Sequence, residues 1–205
     1  MQLIALTGGI ASGKSTIGKR LEQLGAIRID ADQLARDAVE VGSPGLERVT
    51  QRFGSDVLTE EGELDRGALG ELVFNDPVAL TDLNAIVHPE VRRIATERVR
   101  DAERLHPDGI VVYEIPLFVE TRAGDESSGF AWDLVVVADA PADVRVRRLV
   151  ELRNMSEAEA RRRIANQASD DERRAVADVL IDTSASEEYT LEQVDGLWER
   201  LTAAP

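Results

Sequence analysis

TGGIASGKST, residues 7–16, is the stretch whose reading decides the fold. It matches the phosphate-binding pattern GxxxxGK[ST], with Gly8 and Gly13 as the fixed glycines and Lys14 and Ser15 after them. A pattern this short takes its meaning from its flanks. Leu3 to Leu6 is an apolar run with the length of a buried strand, and Ile17, Leu21 and Leu24 then recur at helical spacing. A strand, a glycine-rich loop and a helix in that order bring backbone N–H groups and the positive end of the helix to an anion. Lys14 then reaches the β and γ phosphates of a nucleoside triphosphate, and the Ser15 hydroxyl holds Mg²⁺. The alternative is a glycine-rich turn that binds nothing; the spacing and both flanks weigh against it.

The rest of the composition narrows the class. A chain of 205 residues can bury one substantial core, which fits one α/β domain with an added helical part. Its net charge of -15 argues against nucleic-acid or anionic-membrane partners, while leaving room for a local basic pocket that binds an anionic substrate. There is no cysteine, so neither disulfides nor Cys-based metal sites are in play. The N-terminus has no basic lead-in and only a short apolar run, and no window approaches a membrane span, so a soluble cytoplasmic protein is expected. Lys14 and Lys19 are the only lysines. That excludes a guanine-reading NKxD motif after residue 19 and the separate strand lysine of a protein kinase.

Working outward, Gly25 is placed as a helix C-cap and Ala26 to Ile29 as a second strand, running into IDADQLAR at 29–36. Asp30 and Asp32 thus fall just past a parallel strand, at the sheet edge where open α/β folds bind ligands; one of them is expected to cap a helix starting near Gln33. From Pro44 to Leu105 the pattern is helical. Leu46, Val49 and Phe53 share a face ended by Gly54, and Leu69, Leu72 and Val73 mark another helix. Asp76 and Pro77 open a third, with Leu80, Leu83 and Val87 inward and His88 and Pro89 interrupting it. GIVVYEI at 109–115, LVVVA at 134–138 and VLI at 179–181 supply three more strands, and Thr121 to Phe130 reads as an exposed loop.

Between the last two strands lie Arg145, Arg147, Arg148, Arg153, Arg161, Arg162, Arg163, Arg173 and Arg174. Most are expected on solvated helix faces paired with acids. Arg145 and Arg148, three apart, can point together, as phosphoryl transfer from a lid would need. Ser156 with Glu159, Ser169 with Glu172, and Thr190 with Gln193 read as capping boxes. Leu191, Val194, Leu197, Trp198 and Leu201 form a core-facing stripe.

Several of these stretches, in order, resemble the dephospho-CoA kinase family: TGGIASGKS, IDADQLAR, GELDRGALGELVF at 62–74, LNAIVHPEV at 83–91, IPLFVE at 115–120, RIANQAS, DDERR and ADVLIDTSAS at 177–186. Ala11 stands where the family has glycine. Leu152 stands where it has a second lid arginine, with Arg153 one place on, and IDTSA stands for IDNSG at what would be the adenine side. The resemblance implies a P-loop NTPase fold. A five-stranded parallel sheet is flanked by helices (core about 1–40, 109–140 and 177–205), with a helical substrate-binding part at about 41–108 and a lid at about 141–176.

It implies ATP-dependent phosphorylation of the ribose 3′-hydroxyl of dephospho-CoA, with Mg²⁺. ATP would be held by Gly8, Gly9, Ala11, Ser12, Gly13, Lys14, Ser15 and Thr16, with Arg145 and Arg153, and Ser15 would be the metal-side residue. Asp32 maps as the base, with Asp30 as fallback; Lys14 and Arg148 complete the catalytic set. Asp32 or Glu114 would meet Mg²⁺ through water. Arg36, Arg66, His88 and Arg92, with Asp32, would form the dephospho-CoA side. Another small-molecule or nucleoside kinase of the same fold, and a nucleotide-binding regulator without transfer activity, remain the alternatives at this stage.

Overall fold

Short runs of Val, Ile and Leu bounded by polar residues make strands, and longer stretches with a 3.6-residue apolar period make the helices that cover them. The computed structural model describes residues 1–74, 76–122 and 129–203. In chain order it holds β1 (Gln2–Thr7), α1 (Lys14–Leu24), β2 (Ile27–Asp30), α2 (Ala31–Asp37) and α3 (Pro44–Phe53). A 3₁₀ turn (Ser55–Val57) leads to α4 (Arg66–Phe74), α5 (Pro77–Leu105), β3 (Ile110–Glu114) and α6 (Phe118–Arg122). The chain continues with β4 (Leu134–Asp139), α7 (Ala142–Arg153), α8 (Glu157–Ala165), α9 (Asp170–Ala175), β5 (Val179–Asp182) and α10 (Glu187–Thr202).

The five strands pair in the order β2-β3-β1-β4-β5, every pairing parallel. A parallel sheet needs cover on both faces. One face carries Ile4, Leu6, Val112, Val136 and Ile181 and packs on Ile17 and Leu21 of α1 and Val194 and Leu197 of α10, with Trp198 and Leu201 alongside. The other carries Ala5, Val135 and Val137 against Phe118, with Trp132, Val176 and Ala177. The strands' C-terminal ends form an acidic rim. Asp30 pairs with Glu114 across β2 and β3, Asp139 pairs with Asp182 across β4 and β5, and β1 between them releases the chain at Thr7 into the glycine-rich loop.

The chain divides into two compact units, Met1–Asp30 with Ala102–Pro205, and Ala31–Asp101. The first holds the sheet. The second is helical and is centred on Val39, Val49, Val57 and Leu69, with Phe53, Leu64, Val73, Leu83, Ile86 and Val87 packed around them. It begins at Ala31, ten residues before the 41 expected from sequence, because the chain turns helical directly after β2. A buried carboxylate ties this unit together. Glu90 accepts from Arg48 and, at 2.9 Å, from Arg93, which also reaches Glu97 at 2.8 Å. The hydrogen bond from Arg93, helped by Arg48, outweighs burial and holds Glu90 below its ordinary 4.5. A depressed folded pKa contributes stability above the unfolded value and loses it as pH falls through the folded one. Glu90→Gln is therefore expected to lower the melting temperature most above pH 4.5, with the gap to the unsubstituted protein closing as pH drops below it. A gap independent of pH in thermal melts would contradict this.

Several expectations are corrected. His88 and Pro89 do not interrupt their helix: α5 runs unbroken for 29 residues with Pro89 inside it. An interior proline frees the carbonyl four residues earlier, at a cost of about 3 kcal/mol. Here Ala85 and Pro89 are both exposed, so water can satisfy that carbonyl. Leu80 and Leu72 are exposed, at 45% and 48%, because Ala79 in α5 and the Leu69–Val73 row in α4 take the inward places. Thr190 caps nothing; α10 starts three residues earlier, with Ser186 accepting from the Tyr189 N–H. Ser156 accepts from the Glu159 N–H, but only Ser169 and Glu172 form a reciprocal capping box. α2 starts at Ala31 rather than near Gln33, which puts Asp32 in its first turn. The expected loop at 121–130 falls mainly on residues outside those described; Thr121 and Arg122 belong to α6.

Candidate active site

The site in the sheet-bearing unit is built where β1 ends. Thr7 and Ser12 are buried, Lys14 opens α1, and Ser15 is exposed on its first turn. The first backbone bonds back into the loop come from Ser12 N–H to Gly9 and Thr16 N–H to Gly13, so a helix start faces the loop with its first N–H groups outside the intrahelical ladder. Two buried polar atoms lack hydrogen-bond partners here among the described residues, Ser12 Oγ and Arg145 Nη1. Arginine only donates, so its partner must be an acceptor. A Cβ on Gly9 would collide with Arg145 Nη1 and lie 3.1 Å from its Cζ and 3.4 Å from Arg173 Cζ. Glycine at position 9 thus lets two guanidiniums close on the loop. A phosphate group, with acceptor oxygens on every side, fits these donors, and Ser15 needs no all-protein cage to serve Mg²⁺, which keeps waters and phosphate oxygens as ligands.

Lys14 belongs to a line of charges along the acidic rim. Its Nζ is 3.9 Å from Glu114 Oε2, Glu114 Oε1 accepts from Arg28 Nε at 2.5 Å, and Arg28 Nη2 donates to Asp30 Oδ2 at 3.2 Å. Glu114 is 1% exposed. Burial pushes its carboxyl above the ordinary value, and Arg28 and Lys14 pull it back. Next to it on β3, burial with the added charge of Asp30 pushes the Tyr113 hydroxyl up to about 12. Gly18 in α1 makes room for this line, since a Cβ there would collide with Glu114 Oε1 and lie 3.0 Å from Arg28 Nε. Alanine for glycine inside a helix ordinarily stabilises by about 0.5–1 kcal/mol. Gly18→Ala is expected to do the reverse, costing about 1–3 kcal/mol as an overpacked site. A melting temperature equal to or above that of the unsubstituted protein would show the carboxylate to be movable.

The arginine-rich segment sorts itself by burial. Arg145, 2% exposed, donates from Nε to the Ala140 carbonyl at 3.0 Å and from Nη2 to Asp170 Oδ1 at 2.5 Å. Arg173, 3% exposed, donates to the same Asp170 oxygen at 3.3 Å and to Glu120 Oε1 at 3.4 Å. Arg148 points elsewhere: Nη1 donates to the Ala11 carbonyl at 3.2 Å and Nη2 to the Thr183 carbonyl. Burial, with Arg147 nearby, lowers its pKa. Arg153 is exposed at the end of α7, and Arg161 and Arg163 pair with Glu157 and Glu159 on the exposed side of α8, as expected for solvated faces. Three contacts were not read from the sequence. Nothing in its spacing sets Arg173 apart from the arginines of this segment, most of which are expected on solvated faces: an apolar residue follows three places on both here, at Val176, and after Arg161, at Ile164. The Ile10 N–H donates to Gln167 Oε1 at 2.8 Å, and Thr183 Oγ1 donates to the Ser12 carbonyl at 2.5 Å, so the threonine of IDTSA ties down the loop itself.

The remaining candidates lie in the helical unit. Asp32 and Arg36 are exposed and one turn apart on α2. His88 and Arg92 are exposed and one turn apart on α5, a pairing that the unbroken helix creates. Arg66 opens α4, whose first N–H groups at Gly67 and Ala68 donate to Asp65 Oδ1. Among the described residues no cluster of His, Cys, Asp and Glu is arranged as a metal cage, and no helix is long and apolar enough to cross a membrane.

The sequence pattern of the dephospho-CoA kinase family matches residues 2–188. The dephospho-CoA kinase of Leifsonia xyli subsp. xyli is 52% identical over 201 residues, covering 98% of this chain and 99% of that protein. That of Thermobifida fusca is 46% identical over 201 residues, covering 98% and 96%. Among solved structures, TT1252 from Thermus thermophilus superposes with a TM-score of 0.76 at 34% identity, over 98% of each chain.

Proposed function

The chain belongs to the dephospho-CoA kinase family, and from that premise we propose that it transfers the γ-phosphoryl group of ATP to the ribose 3′-hydroxyl of dephospho-CoA, giving coenzyme A and ADP, the last step of coenzyme A synthesis. The observation that carries this reading in the structure is the pair of buried, unpartnered donors, Ser12 Oγ and Arg145 Nη1, at a GxxxxGKS loop.

Lys14 and the backbone from Gly8 to Thr16 hold the triphosphate; Arg145 and Arg148 lie against that loop, and Arg153, exposed at the end of α7, is assigned to the nucleotide with them. Ser15 would hold Mg²⁺, which would supply positive charge against that of the triphosphate. Asp32 takes the proton of the 3′-hydroxyl as that oxygen bonds to the γ-phosphorus. The bond from phosphorus to the bridging oxygen breaks, and ADP leaves with the electron pair. Support for Asp32 is its place two residues past the C-terminal end of β2, exposed on the first turn of α2. The helical unit, through Arg36, Arg66, His88 and Arg92, supplies the cationic side for the phosphates of dephospho-CoA. A cytoplasmic location, where ATP is at hand, belongs to the same reading.

Purified protein given ATP, Mg²⁺ and dephospho-CoA is expected to form coenzyme A and ADP in equal amounts. No product above a Lys14→Ala control would overturn the reading, and a panel of other hydroxyl and monophosphate acceptors would then identify the true one.

A further inference from the structure

Buried guanidiniums mark where this loop expects negative charge, and only one of them, Arg145, is among those that sequence spacing singles out. Arg145 and Arg173 are both more than nine-tenths buried and both close on Gly9, while Arg148 is spent on the carbonyls of Ala11 and Thr183. We propose that Arg173, together with Arg145, is the phosphate-contacting arginine pair of the nucleotide site, and that Arg148 is a positioning residue that holds the loop. The proposal rests on the ATP-binding part of the function given above and adds a residue and a division of labour to it.

Three observations carry it. Arg145 Nη1 has no hydrogen-bond partner among the described residues, although its Nε and Nη2 are engaged; one arm of the fork is left toward the loop. Arg173 lies against the same glycine, and its two hydrogen bonds, at 3.3 and 3.4 Å, are longer than the 2.5 Å that Arg145 makes to the shared Asp170 oxygen. Two like charges packed side by side repel, and Asp170 and Glu120 hold them in place without taking every donor. Glu120 is itself shared, since it also accepts from the Ala168 N–H at 2.9 Å. A guanidinium pair so held presents planar forks suited to phosphate oxygens.

Arg148 has the opposite character. Ala11 is at φ 59, a left-handed conformation that costs an L-residue about 1–2 kcal/mol, and Arg148 bonds its carbonyl. The Thr183 hydroxyl meets the next carbonyl, that of Ser12. Arg148 and Thr183 therefore fix the shape of the loop into which the other two arginines point.

The test measures binding of ATP, AMP and inorganic tripolyphosphate by calorimetry without dephospho-CoA, at fixed ionic strength. Arg173→Gln is expected to weaken ATP and tripolyphosphate by roughly tenfold or more, the scale of a lost charge-assisted hydrogen bond, and to change AMP less than about twofold. Asp170→Asn, which removes the acid competing for both guanidiniums, is expected to tighten tripolyphosphate by about threefold or more. Unchanged ATP and tripolyphosphate affinity in folded Arg173→Gln would reduce Arg173 to a structural ion pair and overturn the proposal. Should that variant not fold, Asp170→Asn decides alone, and equal or weaker tripolyphosphate binding overturns it. An unsubstituted protein that makes no coenzyme A yet binds tripolyphosphate through Arg173 would sink the acceptor assignment and leave the arginine assignment standing.

Discussion

Lys14→Ala is expected to reduce coenzyme A formation by about 10³-fold, the upper end of what one electrostatic donor to a developing charge contributes. The reason lies in what surrounds the ammonium. Its side chain is only 14% exposed and faces Glu114 at 3.9 Å, so it is held at the loop rather than sweeping solvent. In that partly desolvated place a positive charge acts on phosphate oxygens with little screening, and alanine leaves no substitute. Lys19 is the one other lysine, and it is exposed on α1. Lys19→Ala is therefore the matched control and is expected to keep turnover. Measured as ADP released per enzyme with dephospho-CoA present, a Lys14→Ala rate within tenfold of the unsubstituted protein would mean that the loop's backbone carries the phosphate chemistry alone. A melting curve must accompany the rate, because removing Lys14 also leaves Glu114 with Arg28, at 2.5 Å, as its remaining ion-pair partner among the described residues.

That coupling shows why part of the site was legible in the sequence and part was not. The loop, its strand and its helix are contiguous, so their spacing is written in one stretch, and Ile17 and Leu21 are buried as their period requires. The same holds for Asp76, whose carboxylate caps α5 by accepting from the Val78 and Ala79 N–H groups, and for Gly25 at the end of α1. The five strands were readable because each is an apolar run between turn residues. What escaped depends on residues brought together from far along the chain: Gln167 with Ile10, Thr183 with Ser12, and Glu114 with Arg28. No local pattern distinguishes Arg173, buried beside the loop, from Arg161, exposed and paired with Glu157 one turn away. Both are arginines in short acidic helices; only the packing of Val176 and Ala177 on the sheet turns one of them inward. The continuous α5 escaped for a different reason. A proline is a local signal to stop, and exposure of the freed carbonyl, a tertiary fact, overrides it.

Asp32→Asn is expected to separate binding from chemistry. Asparagine keeps the size of the side chain but cannot take up a proton, so an acceptor hydroxyl would have to lose its proton to water. The expected result is a fall in kcat of about 10²–10⁴, the range for a positioned general base, with ATP affinity changed less than about threefold. Asp30, the other carboxylate of the segment, provides the contrast. It ends β2 and accepts from Arg28, which also holds Glu114, so it is part of the charge line along the rim. Asp30→Asn is accordingly expected to act on stability more than on the chemical step. A rate loss larger for Asp30→Asn than for Asp32→Asn, at equal folding, would move the base to Asp30. Equal, small losses for both would favour a substrate-side mechanism in which the transferring phosphoryl group itself takes the proton. The loose transition state of phosphoryl transfer makes that last outcome chemically reasonable, because little proton removal is needed before the bond to phosphorus forms. The size of the Asp32→Asn effect therefore reads how much deprotonation the enzyme has built into the step.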